Sequence, residues 1–141
     1  MPLYDLVIAP SDAAPHIASL DMPRAEYAGF ACRPIDHVKL ATLASTLGVG
    51  ATMQVIAELE PIAWASEDGP WVSLVPAKLV LAVEALDPTS LQDVAGVWAS
   101  SEEFKLDQLG PKDAENFLGA LQKLIAMAGP DSLSLFLWSS L

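Results

Sequence analysis

Asp36 and His37 stand next to each other, and histidine is the side chain whose ordinary titration range suits a general base near neutral pH. A catalytic base must also reach a nucleophile within hydrogen-bond distance, and adjacent residues on a helix do not face each other. Asp36 fits a different task. Placed just before a helical pattern, its carboxylate can accept N–H bonds from the first turn, which leaves His37 in that exposed turn. Cys32, the one cysteine, offers with His16 and His37 the donor types of a thiol–imidazole dyad or a metal site. Nothing in their spacing brings the three together, and a zinc site wants a further ligand. A free cysteine is more often a small buried hydrophobe.

Glycines and carboxylates give no stronger motif. Gly48-Val49-Gly50 follows a helical pattern and lacks the third glycine or the Gly-Lys-Ser/Thr ending of a phosphate loop. Glu58 with Glu60, and Glu102-Glu103 with Asp107, are carboxylate groupings of the kind used in glycoside chemistry or hard-cation binding. Both chemistries need carboxylates that converge across a cleft. These fall near helix ends and turns, where a solvated acidic face is the simpler account. No catalytic residue, metal ligand or cofactor is assigned.

Tryptophan is the more informative residue type. Trp64 and Trp71 flank the acidic turn Glu67-Asp68-Gly69-Pro70, and tryptophan is enriched where binding energy concentrates. Trp98 and Trp138 instead lie on apolar patterns and read as core. The candidate partner-binding residues are therefore Trp64, Glu67, Asp68 and Trp71, joined by the acidic Glu102, Glu103 and Asp107 at the end of the Trp98 helix.

The elements that must position these residues alternate in type. Leu3 to Ala9 reads as a buried strand ended by Pro10, and Glu26 to Cys32 as a second strand, with a short helix around His16 to Leu20 between them. After the Asp36 cap, Leu40, Leu43, Ala44 and Leu47 share one helical face, and Gly48 supplies a left-handed end. Ala51 to Glu60 favours a helix burying Met53, Ile56 and Ala57, with a strand as the alternative. Ile62 to Val75 reads as a hairpin turning at Asp68-Gly69, with Ser66 opposite Trp71 and the two tryptophans diagonal on one face. A longer loop would shift that register and keep the hairpin.

Pro76 opens a helix with Leu79, Val80, Val83 and Leu86 on its stripe. Thr89 or Asp87 caps the next, which buries Leu91, Val94, Ala95 and Trp98. The longest helix spans about Lys112 to Ala128, burying Phe117, Leu118, Leu121, Leu124 and Ile125, with Gly129-Pro130 as its stop. Leu133 to Trp138 is apolar on both faces, as for a strand inside a sheet beside the N-terminal one. The resulting fold class is α+β. Residues 1–141 form one domain, a small, mostly antiparallel sheet covered by three to five helices.

Composition bounds the function. Eighteen Asp and Glu face seven Lys and Arg, a net charge of −11, yet 52% of residues are hydrophobic. Acidic disorder requires low hydrophobicity as well, so the chain should fold and carry its charge outside. The seven cations form no phosphate-tracking stripe, which excludes nucleic acid as a partner. The uncharged stretch from Leu40 to Ala57 is broken by glycines and hydroxyls and is not a membrane span. The lone cysteine and the lack of a signal-peptide pattern make the cytoplasm the expected compartment.

Three functions are compatible with this reading. The first is an acidic protein-interaction domain of inhibitor or immunity type engaging a basic protein partner. The second is a small-ligand binder or enzyme with a pocket between sheet and helices. The third is a self-associating subunit, a homodimer.

Overall fold

Two long strands, one from each end of the sequence, lie antiparallel in the middle of the protein. The computed structural model describes residues 2–129 and 133–141. Strand β1 (Leu3–Pro10) pairs along its whole length with β5 (Leu133–Ser140), and β5 is the central strand of a five-stranded antiparallel sheet ordered β2-β1-β5-β4-β3. The other three strands are short: β2 (Gly29–Ala31), β3 (Ala63–Trp64) and β4 (Trp71–Leu74).

Alternation along β5 explains its place. Leu135 and Leu137 join the main core under a helical layer, while Phe136 and Trp138 join a smaller core on the opposite face. A strand apolar on both sides is stable only where both sides are covered. The smaller core is capped by α1 (Ala14–Ala18), whose Ile17 packs with Val72 and Phe136.

The main core lies beneath α2 (His37–Thr46), α3 (Thr52–Glu58), α4 (Ala77–Glu84), α5 (Pro88–Ala99), α6 (Glu102–Leu106) and α7 (Pro111–Ala128). With α1, these are seven α-helices among the described residues, more than the three to five expected because several are single turns. No helix among the described residues is long and apolar enough to cross a membrane, and the Leu40–Ala57 stretch divides into α2, a glycine turn and α3.

Caps set the helix boundaries. The Asp36 carboxylate accepts the Lys39 N–H at 3.0 Å, and Asp87 accepts the Ser90 N–H at 2.8 Å, so Asp87 rather than Thr89 starts α5. Gly48 takes the left-handed φ of +72° after α2. Gly129 likewise has a positive φ after α7, while Pro130 lies outside the described residues.

Three local expectations need correction. In α3 the buried residue is Val55, followed by the buried Leu59 just past the helix, with Ile56 half-buried, whereas Met53 is 76% exposed and Ala57 is also exposed. Apolar residues surround this short helix, so its pattern does not fix a phase. Glu102 and Glu103 do not end the Trp98 helix: Ser101 breaks it, and they open α6, where carboxylates favour the positive end of the dipole. The second strand shortens to Gly29–Ala31, because Pro23–Ala25 forms a 3-10 turn before it.

A buried cation ties α2 to α6. The Lys39 side chain is 2% exposed; its ammonium donates to Pro34 O at 3.0 Å and to the Asp107 carboxylate, and lies 3.8 Å from Asp36. Removing one partner of such a pair costs more than replacing the buried cation by an apolar group of similar volume. Asp107→Ala is expected to cost roughly 2 kcal/mol, below the full penalty because Asp107 is half exposed. Lys39→Met leaves Asp107 free to hydrate and should cost less than about 1 kcal/mol. Urea unfolding of both variants measures the asymmetry, and a costlier Lys39→Met contradicts it.

Candidate functional site

The hairpin register differs from the expected one and creates the site. Trp64 pairs directly with Trp71, not diagonally, across a loop spanning residues 65–70. A two-residue Asp68-Gly69 turn would demand an N–H from Pro70 to close the ladder, and proline has none. The chain instead turns through Glu67 and Asp68. Gly69 N–H donates to Ser66 O at 3.0 Å, and the Ser66 hydroxyl donates to Gly69 O at 3.1 Å. Gly69 has a φ of +88°, and a Cβ there would meet the Trp71 ring at 2.7 Å, so the glycine lets the indole lie against the turn.

The same register runs on across the sheet. Trp71 pairs with Ser139, and Ser139 pairs with Tyr4. Residues directly opposite one another share a face, so Trp64, Trp71, Ser139 and Tyr4 form one row across β3, β4, β5 and β1. Ser139 is the small member. Strands lie about 4.8 Å apart, so the backbones of Tyr4 and Trp71 stand about 10 Å from each other with only Ser139 between them. The result is a cleft of about 360 Å³ with Tyr4 and Trp71 among its walls, Ile56 and Leu59 from the α3 segment above, and His37 and Glu60 lining it as well. A second, more open groove of about 570 Å³ adjoins it through Glu60, Pro61 and Trp71 and extends to Trp64 and Glu67.

Trp64 is 58% exposed on the edge strand β3, Trp71 is half-buried, and Glu67 and Asp68 are exposed. Glu60 and Glu67 make no ion pair among the described residues; the nearby Glu58 is held instead by Lys78 at 2.7 Å. Among the described residues, the only formally charged side chain lining the 360 Å³ cleft is that of Glu60.

His37 is not in the exposed position expected of it. It is half-buried and packs edge-on against Tyr4 with ring centroids 5.9 Å apart. Burial holds its pKa below the ordinary 6.5, partly opposed by the neighbouring Asp36 carboxylate. Burial also raises the Tyr4 phenol, so both rings are neutral at pH 7. Because the folded state disfavours protonated His37, its contribution to stability is fully present above about pH 6.5 and is lost as pH falls through its lowered folded value. Between about pH 7.5 and pH 5.5, thermal unfolding of the native protein should therefore lose more stability than that of His37→Gln. Identical pH dependence in the two proteins contradicts a buried neutral His37.

The other candidates are not drawn into this cleft. Cys32 is buried, its thiol donates to Ile35 O at 3.6 Å, and burial pushes its pKa up, away from the reactive thiolate. His16 bonds Glu26 on the exposed surface. Among the described residues, no group of three or more His, Cys, Asp or Glu side chains gathers as for a metal ion. Glu102, Glu103 and Asp107 line neither the cleft nor the groove, and Asp107 is engaged by Lys39. Sequence reasoning missed Tyr4 and Ser139, because only the strand register reveals that they meet, and it set Glu60 aside as part of a solvated face. Comparison of the chain with protein-family models, with curated proteins and with solved structures finds no match.

Proposed function

We propose that the protein is an acidic recognition domain that binds a basic protein partner through the hairpin side of its sheet, as an inhibitor or immunity-type protein does. The observation that carries this reading is Trp64, a largely exposed indole opposite Trp71 in a groove shared with the unpaired carboxylates of Glu60 and Glu67. An exposed tryptophan beside a half-buried one supplies the apolar anchor of an interface, and carboxylates around it supply a rim selective for cations. The net charge of −11 adds a long-range field that speeds encounter with a basic protein and disfavours acidic ones.

Stopped-flow association with synthetic basic peptides, read by tryptophan fluorescence, tests the proposal. The association rate should fall steeply as salt rises from about 20 mM to about 200 mM, since the Debye length shrinks over that range. Matched neutral peptides should not bind. Equal binding of basic and neutral peptides, or of neither, overturns the reading.

A second reading, a small-ligand binder, has the cleft in its favour. A volume of about 360 Å³ falls within the range of ligand pockets, and aromatic walls with a few polar groups are their usual lining. Thermal-shift screening against metabolites separates the two, because a small ligand raises the melting temperature without any basic peptide.

A further inference from the structure

We infer that the cleft between Tyr4 and Trp71 is a receptor for one arginine side chain of the basic partner, its guanidinium stacked between the two rings and received by Glu60. The inference rests on the proposed interaction with a basic protein and names the group that the protein selects.

Geometry favours a flat occupant. A group stacked between two rings needs about 7–8 Å between them, twice an ordinary carbon contact, and a backbone separation of about 10 Å leaves that room. Ser139, placed between Tyr4 and Trp71 by the pairing of β5 with β1 and β4, adds no bulk to the floor. Ile56 and Leu59 offer apolar surface for the methylene stem of a long side chain.

Charge then decides among flat occupants. Among the described residues no Lys or Arg lines the cleft to hold an anion, and Glu60 lines both the cleft and the adjoining groove. A cation between aromatic faces gains from both ring quadrupoles. Guanidinium is planar and weakly hydrated, whereas the ammonium of lysine is a compact and strongly hydrated charge, so the slot should prefer arginine. His37 does not oppose it, because burial keeps the imidazole neutral at pH 7.

Two synthetic peptides of equal charge test this, one carrying arginine at every basic position and the other lysine. Calorimetric titration of the intact protein should show about tenfold tighter binding of the arginine peptide, the scale of one desolvated cation–aromatic contact. Glu60→Gln, an exposed change that leaves the core untouched, should reduce that preference several-fold, while Glu102→Gln should leave it unchanged. Ser139→Leu, which fills the slot, should abolish the preference while Trp64-dependent binding persists.

Equal affinity for the two peptides, or a preference insensitive to both Glu60→Gln and Ser139→Leu, overturns the arginine site and leaves the basic-partner reading standing. Failure of both peptides to bind removes that reading and the inference together.

Discussion

Trp98→Ala is expected to destabilise the protein by about 4 kcal/mol, the largest effect of any single substitution considered. Trp98 is fully buried on α5, and its indole N–H reaches the Lys39 carbonyl at 3.0 Å and the Thr42 hydroxyl at 3.1 Å, both on α2. Its ring meets Phe104 of α6 at a centroid distance of 4.7 Å and Phe117 of α7 at 5.5 Å. One side chain thus joins four helices. Truncation removes the transfer energy of the indole, leaves a cavity among rigid elements, and strips the Thr42 hydroxyl of one of its two partners. For a domain of this size, a loss of about 4 kcal/mol lowers the melting temperature by roughly 12–15 °C. Trp98→Phe keeps most of the packing and loses the N–H bonds, so it should cost about 1–2 kcal/mol. A Trp98→Ala loss below about 1 kcal/mol contradicts its role as the joint of the helical layer.

Trp71→Ala should have the largest effect on recognition, weakening binding of a basic peptide at least 30-fold, or about 2 kcal/mol. Trp71 is the aromatic residue common to the cleft and the more open groove, which also share Glu60 and Pro61, so its removal merges them and takes away one wall of the slot. Half-burial makes it the better anchor, since it loses little freedom on binding and already excludes water on one side. Trp64→Ala, at the exposed edge, should weaken binding about 5- to 10-fold with little change in stability. Calorimetric titration measures both. A Trp71→Ala protein that stays folded and binds a basic peptide as the native protein does would show that the hairpin is not the recognition surface.

Much of the fold is legible in the residues, for physical reasons that differ by element. β5 could be read as an interior strand because Leu135 and Leu137 alternate with Phe136 and Trp138, which leaves neither face for water. α7 could be read because its amphipathic stripe is long, and Asp36 because a cap is a local device. The site was half legible. Trp64 and Trp71 stood out by type, yet their pairing depended on Pro70 having no N–H to give. How the rest of the cleft comes together could not be read. Tyr4 and Ser139 meet through a strand register linking opposite ends of the sequence, and Glu60 arrives at the end of the α3 segment, whose facing the composition leaves open.

The acidity that dominates the composition also divides differently from a plain charged face. Between Glu84 and Glu115, Asp87 and Asp113 act in helix caps, Asp107 neutralises a buried lysine, and Glu115 lies 3.9 Å from Lys112. Those carboxylates serve the fold. Glu60 and Glu67, which have no ion pair among the described residues, line an aromatic groove on the hairpin side.

The indole N–H region of a nitrogen-15 spectrum, recorded while a basic peptide is added, locates the recognition surface, because the protein has four tryptophans in two distinct settings. The signals of Trp64 and Trp71 should move together with the peptide, while those of the buried Trp98 and Trp138 stay in place. Bound peptide that leaves the Trp64 and Trp71 signals unmoved contradicts recognition through the hairpin.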